Sequence, residues 1–119
     1  MYSPQLLDHF QNPRHAGDVP GADAAAEIEN PVCGDMLRFT VKISAGRITE
    51  VGFKAKGCVP SMGCASALTE LVQGKTFAEA RALDRTSLIA AVGGLPQAST
   101  HAAQLALDAL SAVLAQLKA

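Results

Sequence analysis

The sequence predicts an α+β fold, in which helices pack on one face of a small antiparallel sheet. Residues 37–56 alternate between apolar and polar side chains, which indicates two β-strands. Apolar residues recur at helical spacing from residue 61 onward, which indicates several helices. A run of strands followed by a run of helices is typical of α+β domains.

A short helix is the first predicted element. Ser3 is a suitable N-cap, Pro4 suits the first helical turn, and the Asn-Pro step at 12–13 should end the helix. Residues 16–34 are rich in Gly, Pro, Ala and acidic residues and lack a sustained period, so we expect a meandering loop there. We also place a third strand within residues 24–29.

A β-hairpin is predicted next. A turn at residues 45–47 separates its two strands, and Val51, Phe53 and Ala55 share one face of the second strand. The outer ends of an antiparallel hairpin lie side by side, so residues near 35 and near 58 should be neighbours. The alternating apolar residues of the first strand are Leu37, Phe39, Val41 and Ile43.

The remaining chain is predicted to be helical. One helix should span residues 61–72, a capping box at 76–79 should start a short helix, and another should lie near residues 87–92. A long C-terminal helix should begin near Ser99 or Thr100. Its predicted apolar stripe consists of Leu107, Leu110, Leu114 and Leu117.

Length and composition limit the class of protein. With 119 residues, the chain has room for one domain, which we place at residues 1–119. The hydrophobic fraction of 49% without tryptophan predicts a thin core of Leu, Val, Ile and Ala, to which a bound metal could add stability. The formal net charge of -1 provides no basic surplus, so we expect no nucleic-acid partner.

The N-terminus lacks the basic and apolar segments of a secretory signal, and no stretch approaches the roughly 20 apolar residues of a membrane span. We therefore expect a cytoplasmic protein without a membrane partner. Disulfides are disfavoured in that reducing compartment, and three cysteines cannot all pair. Buried fillers, reactive thiols or metal ligands are the roles that remain for Cys33, Cys58 and Cys64.

Four residues with useful chemistry lie at the ends of predicted elements, namely Cys33, Asp35, Cys58 and His101. Loop cysteines beside glycine are unusual, because a structural cysteine prefers the apolar interior of an element. Thiolates combined with an imidazole or a carboxylate suit zinc, and thiolates also suit iron-sulfur clusters. These residue types therefore point to a metal site.

The spacing leaves structural roles open for the same residues. Cys33 and Cys58 lack the compact spacing of a zinc finger, so both could be packed thiols. Asp35 after a glycine is an ordinary turn former, and Cys64 between small residues of a helix is expected to be a packed side chain.

The histidines are equally open to other interpretations. His101 in the first turn of a helix could be a solvated or capping residue, and His9 and His15 compete with it for any ligand role. A cysteine and a histidine could also form a nucleophilic pair, although no motif indicates a substrate pocket.

Four sequence motifs occur in order along the chain. Residues 8–17 read D-H-F-Q-N-P-R-H-A-G, residues 29–35 read E-N-P-V-C-G-D, residues 53–58 read F-K-A-K-G-C, and residues 71–76 read L-V-Q-G-K-T. Together they resemble the IscU/NifU-like (U-type) iron-sulfur cluster assembly scaffold family. The first three are similar to the family's D-H-[YF]-x-N-P-R-x-x-G, E-N-P-x-C-G-D and F-K-x-x-G-C motifs. The fourth resembles the end of the helix that follows.

The resemblance implies an IscU/NifU N-terminal-like fold and a non-enzymatic scaffold function. Such a scaffold builds a cluster from iron and delivered sulfur and passes it to acceptor apo-proteins. A cysteine desulfurase is then the expected partner, and the protein should be a monomer or weak homodimer. The implied cofactor is a [2Fe-2S] cluster or zinc, held by the matching residues Cys33, Asp35, Cys58 and His101.

The chain departs from the family pattern at two places. The family's histidine-cysteine pair reads His101-Ala102, so the third family cysteine is absent. The Leu-Pro-Pro-Val-Lys segment of the IscU branch reads L-P-Q-A-S at residues 95–99. Cys64 could compensate for the missing thiol, which leaves Asp35 or Cys64 as the fourth metal ligand.

The missing cysteine keeps two other functions open. The first is a zinc-binding regulatory module that binds a cysteine desulfurase without building clusters. The second is an enzyme, a zinc-dependent sulfur acceptor or thiol transferase, in which Cys33 or Cys58 takes persulfide sulfur from the desulfurase.

Overall fold

The computed structural model describes residues 2–29 and 34–117. Within these ranges no helix is both long enough and apolar enough to cross a membrane. The elements in chain order are α1 (Pro4–Gln11), β1 (Ala24–Glu29), β2 (Met36–Ser44), β3 (Arg47–Lys56), α2 (Val59–Val72), α3 (Phe77–Arg81), α4 (Arg85–Ala91), a 3-10 turn (Gln97–Ser99) and α5 (Thr100–Gln116).

The sheet has the order β1-β2-β3, and each pair of neighbours is antiparallel. The hairpin between β2 and β3 closes through Ala45 and Gly46, whose φ angles of +53° and +76° belong to the tight turns that match strand twist. At the opposite end Met36 pairs with Lys56. The two segments that leave the hairpin there consequently start side by side, as the sequence predicts.

The longer helices pack on one face of the sheet and form the core with it. Helix α5 contacts β1 and β2, α2 contacts β3 and α5, and α1 packs on α2. The core residues of the sheet include Leu37, Phe39 and Val41, and those of the helices include Leu68 and Val113. The predicted α+β class is confirmed, because three antiparallel strands carry helices on their apolar face.

Residues 15–23 run across the other face of the sheet. Gly17 donates its backbone N–H to the carbonyl of Phe53 at 2.7 Å. The backbone N–H of Val19 donates to Thr40 Oγ1 at 2.9 Å. Gly52 permits this crossing, because a Cβ at that position would overlap the carbonyl oxygen of Gly17. The segment connects α1 to β1 at the edge of the sheet.

Most predicted elements are present, with shifted boundaries. The third strand is confirmed at Ala24–Glu29, so the expectation of a loop throughout residues 16–34 is wrong in its middle part. Helix α2 begins before residue 61, at Val59, and α4 begins at Arg85 after its N-cap. The predicted capping box is present at the start of α3.

The buried face of α5 differs from the predicted leucine stripe. Leu110 and Leu114 are buried, whereas Leu107 and Leu117 are only partly buried against the core. Small side chains complete the buried face, and they let the helix approach the sheet and α2 closely. The buried alanines are Ala102, Ala103, Ala106 and Ala109.

His9 of α1 is buried against α2 in a polar contact network. Its Nδ1 lies 2.8 Å from Ser66 Oγ, and its Nε2 lies 3.4 Å from a carboxylate oxygen of Glu70. Arg14 donates its backbone N–H to the same Ser66 hydroxyl at 2.8 Å, and its guanidinium pairs with Asp8. Burial, with a smaller contribution from the charge of Arg14, lowers the pKa of His9.

We expect the free energy of unfolding to decrease as the pH falls below the ordinary histidine pKa of 6.5. Because the pKa of His9 is lowered in the folded chain, the unfolded chain takes up a proton first. The contribution of His9 to the free energy of unfolding is therefore complete above pH 6.5. It is lost as the pH falls through the lowered pKa of His9 in the folded chain. Urea unfolding from about pH 8 to about pH 5 measures this slope.

His9→Asn should weaken the slope, because an asparagine amide keeps a polar group near Ser66 but does not titrate. An unchanged slope in the His9 variant would contradict the assignment.

Candidate metal centre

The open end of the β2–β3 hairpin meets the start of α2. Asp35 directly precedes β2, and Cys58 follows β3 and is the N-cap residue of α2. Because Met36 and Lys56 are paired, the two residues are held as neighbours. Cys58 Sγ lies 3.5 Å from Asp35 Oδ2.

Gly57 lets the Asp35 carboxylate lie against the backbone. Its φ of +149° belongs to the region that L side chains rarely adopt. A Cβ at this position would overlap Asp35 Oδ1 and lie 2.6 Å from Cγ. The glycine therefore leaves the space that the carboxylate occupies.

Ser61 holds the carboxylate from the other side. It is the third residue of α2, so its side chain lies on the same side of the helix start as the N-cap residue Cys58. The Ser61 hydroxyl donates to Asp35 Oδ2 at 2.7 Å, and its Oγ lies 3.2 Å from Cys58 Sγ. Both Ser61 and Asp35 are buried, with exposed fractions of 2% and 4%.

His101 reaches the same place from the first turn of α5. Its Nε2 lies 4.0 Å from Asp35 Oδ2, and its Nδ1 lies 3.2 Å from the carbonyl oxygen of Ala98. If Nδ1 carries the proton and donates it to that carbonyl, Nε2 presents a lone pair to the site. A backbone carbonyl that fixes the tautomer of a ligating histidine is a common arrangement at metal sites.

The donor atoms of Asp35, Cys58 and His101 all lie within 4.8 Å of one another. In a tetrahedral zinc site, bonds of about 2.0–2.3 Å place the donor atoms about 3.4–3.7 Å apart. The separations of 3.5 Å and 4.0 Å from Asp35 Oδ2 need only small side-chain movements to match this geometry. A thiol, a carboxylate and an imidazole therefore fit three positions of one metal site.

The three residues differ in burial. Asp35 lies at the buried base of the site, Cys58 is half-buried, and the His101 side chain is 43% exposed. The site is consequently open to solvent on the His101 side.

The sequence predicts two further site residues, Cys33 and Cys64. Cys33 lies outside the described residues. Cys64 lies on α2 with an exposed fraction of 0%, and burial raises the pKa of its thiol to about 12. Its environment is that of a packed core cysteine, which the sequence also leaves open. Neither Cys58 nor Cys64 forms a disulfide.

The competing histidines occupy other parts of the molecule. His9 contacts Ser66 and Glu70, and His15 lies in the segment that crosses the sheet. Among the described residues, His101 is the histidine that is grouped with Asp35 and Cys58.

Sequence reasoning missed Ser61 and Gly57. The position of Ser61, three residues after the N-cap Cys58, is a signal that could have identified it. The carboxylate contact of Gly57 could not have been identified, because it depends on how closely the two hairpin ends approach.

The chain as a whole is similar to known proteins. A family model described as the NifU-like N terminal domain matches residues 1–119. The iron-sulfur cluster assembly scaffold protein IscU 1 of Archaeoglobus fulgidus is 41% identical over 110 residues, which cover 92% of this chain and 72% of that protein. The scaffold protein IscU of Haemophilus influenzae is 35% identical over 122 residues, covering 99% of this chain and 96% of that protein.

A solved structure supports the fold. The N-terminal NifU-like protein of Brucella abortus superposes with a TM-score of 0.78 at 18% identity, covering 97% of this chain and 92% of that chain. At this identity the likeness concerns the fold alone.

Proposed function

Because this chain belongs to the family of NifU-like N-terminal domains, we propose that it is an iron-sulfur cluster assembly scaffold. Its role is to hold a cluster, or zinc in the resting protein, and to pass the cluster to acceptor apo-proteins. The observation that supports this proposal best is the convergence of a thiol, a carboxylate and an imidazole within 4.8 Å at a partly open site.

The proposed ligands are Cys33, Asp35, Cys58 and His101. The separations among the last three support the set, and the resemblance of residues 29–35 to the family motif supports Cys33. Asp35 is a better fourth ligand than Cys64, because the Cys64 thiol is fully buried and its pKa is raised to about 12. A thiol that resists ionisation is a poor metal ligand.

Each ligand has a distinct part in holding the cargo. Cys58 loses its proton and binds through the thiolate, the form in which cysteine binds metals. Asp35 binds through a carboxylate oxygen, which suits the iron of an iron-sulfur cluster less well than a thiolate does. This weaker ligand favours release of the cluster. His101 binds through Nε2 at the exposed rim, where it can be displaced first when an acceptor approaches.

The same proposal covers partners, location and organisation. A cysteine desulfurase supplies the sulfur, acceptor apo-proteins receive the cluster, and neither nucleic acid nor membrane takes part. The free thiols of Cys58 and Cys64 support a reducing, cytoplasmic location. One core shared by the sheet and the helices supports a single domain, which we place at residues 1–119. The proposed scaffold acts without enzymatic turnover, as a monomer or weak homodimer.

Anaerobic reconstitution tests the proposal. The chain is incubated with ferrous iron and sulfide, and its absorbance, iron and sulfide are measured beside a zinc-loaded sample. We expect a visible [2Fe-2S] chromophore with equal amounts of bound iron and sulfide. Tight zinc without any chromophore would contradict cluster assembly.

A second candidate is a zinc-binding regulatory or sulfur-accepting variant that acts with a cysteine desulfurase. The observation that favours it is the absence of a thiol beside His101, where Ala102 is 1% exposed. Cys64 is a poor substitute, because its burial keeps the thiol protonated.

Mass spectrometry after incubation with a desulfurase and free cysteine separates these functions. Persulfide on Cys33 or Cys58 without cluster formation would favour the sulfur-accepting variant. Zinc binding with neither persulfide nor cluster would favour the regulatory module.

A further inference from the structure

We infer that Ser61 is a positioning residue for the metal site, acting through Asp35. This inference rests on the proposed function of the site and adds to it a residue that sets how tightly the metal is held. The hydroxyl donates to Asp35 Oδ2 at 2.7 Å, and the same oxygen is the one nearest to Cys58 Sγ and His101 Nε2.

The Ser61 hydroxyl holds one oxygen of the carboxylate, and the space left by Gly57 accommodates the other. On one side the hydroxyl of Ser61 holds Oδ2, and on the other side Oδ1 lies where a Cβ of Gly57 would be. Both Asp35 and Ser61 are buried, so the hydrogen bond is shielded from competing water. The carboxylate is therefore held in the orientation in which it faces Cys58 and His101.

The hydroxyl has one proton and two acceptors within reach. It donates to Asp35 Oδ2, while its Oγ lies 3.2 Å from Cys58 Sγ. A carboxylate oxygen has a second lone pair, so Asp35 can bind a metal while the hydrogen bond from Ser61 remains. Ligating carboxylates are commonly supported by such bonds, and loss of the partner typically lowers metal affinity about 10- to 100-fold.

The location of Ser61 favours a role in positioning over a role in folding alone. It is three residues beyond the N-cap of α2, and its side chain returns to the end of the hairpin instead of capping a backbone N–H. Ser66 is the matched residue for comparison. It is also buried on α2, but its hydroxyl contacts His9 and Arg14, away from the metal ligands.

Zinc affinity in a chelator competition, with the full chain, tests the inference. We expect Ser61→Ala to lower the affinity about 10- to 100-fold and to change the absorption spectrum of the cobalt-substituted protein. Ser66→Ala should lower thermal stability and leave the zinc affinity within about twofold of the wild type. Circular dichroism verifies that each variant is folded, and Ser61→Gly provides a second way to remove the hydroxyl.

A double-mutant cycle shows whether Ser61 acts through Asp35. In an Asp35→Ala background, adding Ser61→Ala should change the affinity less than twofold, because the group that Ser61 holds is already gone. A full tenfold loss in that background would overturn the inference.

The inference and the proposed function can fail separately. A wild-type affinity in folded Ser61→Ala, while the wild type binds zinc, would overturn the inference and leave the scaffold function standing. A wild-type chain that binds neither zinc nor cobalt would overturn the inference, and one that in addition assembles no cluster would overturn the proposed function.

Discussion

Replacing Cys58 with alanine should abolish stoichiometric zinc binding, from about one zinc per chain to none. Cys58 Sγ lies within hydrogen-bonding range of both Asp35 and Ser61. No other described thiol can take its place, because the Cys64 thiol is buried with a pKa raised to about 12. Metal analysis after gel filtration measures the loss.

The matching change at Cys33 tests the part of the ligand set that rests on resemblance. Cys33→Ala should remove zinc to the same extent, whereas His9→Asn should leave the stoichiometry unchanged, since His9 contacts Ser66 and Glu70. One tightly bound zinc in the Cys58 variant would contradict the proposed site. If Cys33→Ala keeps zinc while Cys58→Ala loses it, Cys33 is not a ligand.

Gly57→Ala should have a comparably large effect on the site without removing any ligand. The new Cβ would overlap Asp35 Oδ1, so the carboxylate must leave the position in which it contacts Cys58 and accepts from the hydroxyl of Ser61. We expect zinc affinity to fall by about 10- to 100-fold, as for other losses of support around a ligand. Because an alanine at a φ of +149° is also strained, the free energy of unfolding should fall by about 1–3 kcal/mol.

Gly74→Ala separates these two effects. Gly74 also has a positive φ, of +85°, but a Cβ there would have no atom within 4 Å. This variant should lose stability through backbone strain and keep its zinc affinity. If Gly57→Ala binds zinc as tightly as Gly74→Ala does, the position of the Asp35 carboxylate beside Gly57 does not determine zinc affinity, which would contradict the account.

The hairpin could be predicted because its physics is local. The two-residue period of β2 and β3 and the Ala45-Gly46 turn fix which residues pair. The register then brings Asp35 and Cys58 together, so two of the three described donor residues follow from the sequence alone. The third strand has a weaker pattern, because small alanines fill half of β1.

The position of His101 beside Asp35 could not be predicted from a local sequence pattern. It depends on the packing of α5 against α2 and the sheet, which is a property of the whole core. The same packing explains the error in the α5 stripe. Ala102 and Ala103 are buried in the core, while Leu107 and Leu117 are only partly buried against it.

Ser61 lies between these two cases. Its distance from Cys58 is set by the first turn of α2, which the sequence fixes to within a few residues. Its bond to Asp35, however, requires the helix start and the hairpin end to meet, and the sequence pattern contains no measure of that distance.

Cluster transfer to an apo-ferredoxin tests the scaffold function most directly. The anaerobically reconstituted chain is mixed with the acceptor, and the gain of the acceptor's spectrum is followed with a chelator present to trap free iron. We predict transfer that proceeds despite the chelator, faster than assembly on the acceptor from iron and sulfide alone. Transfer that the chelator blocks, or that is no faster than that assembly, would contradict a scaffold function.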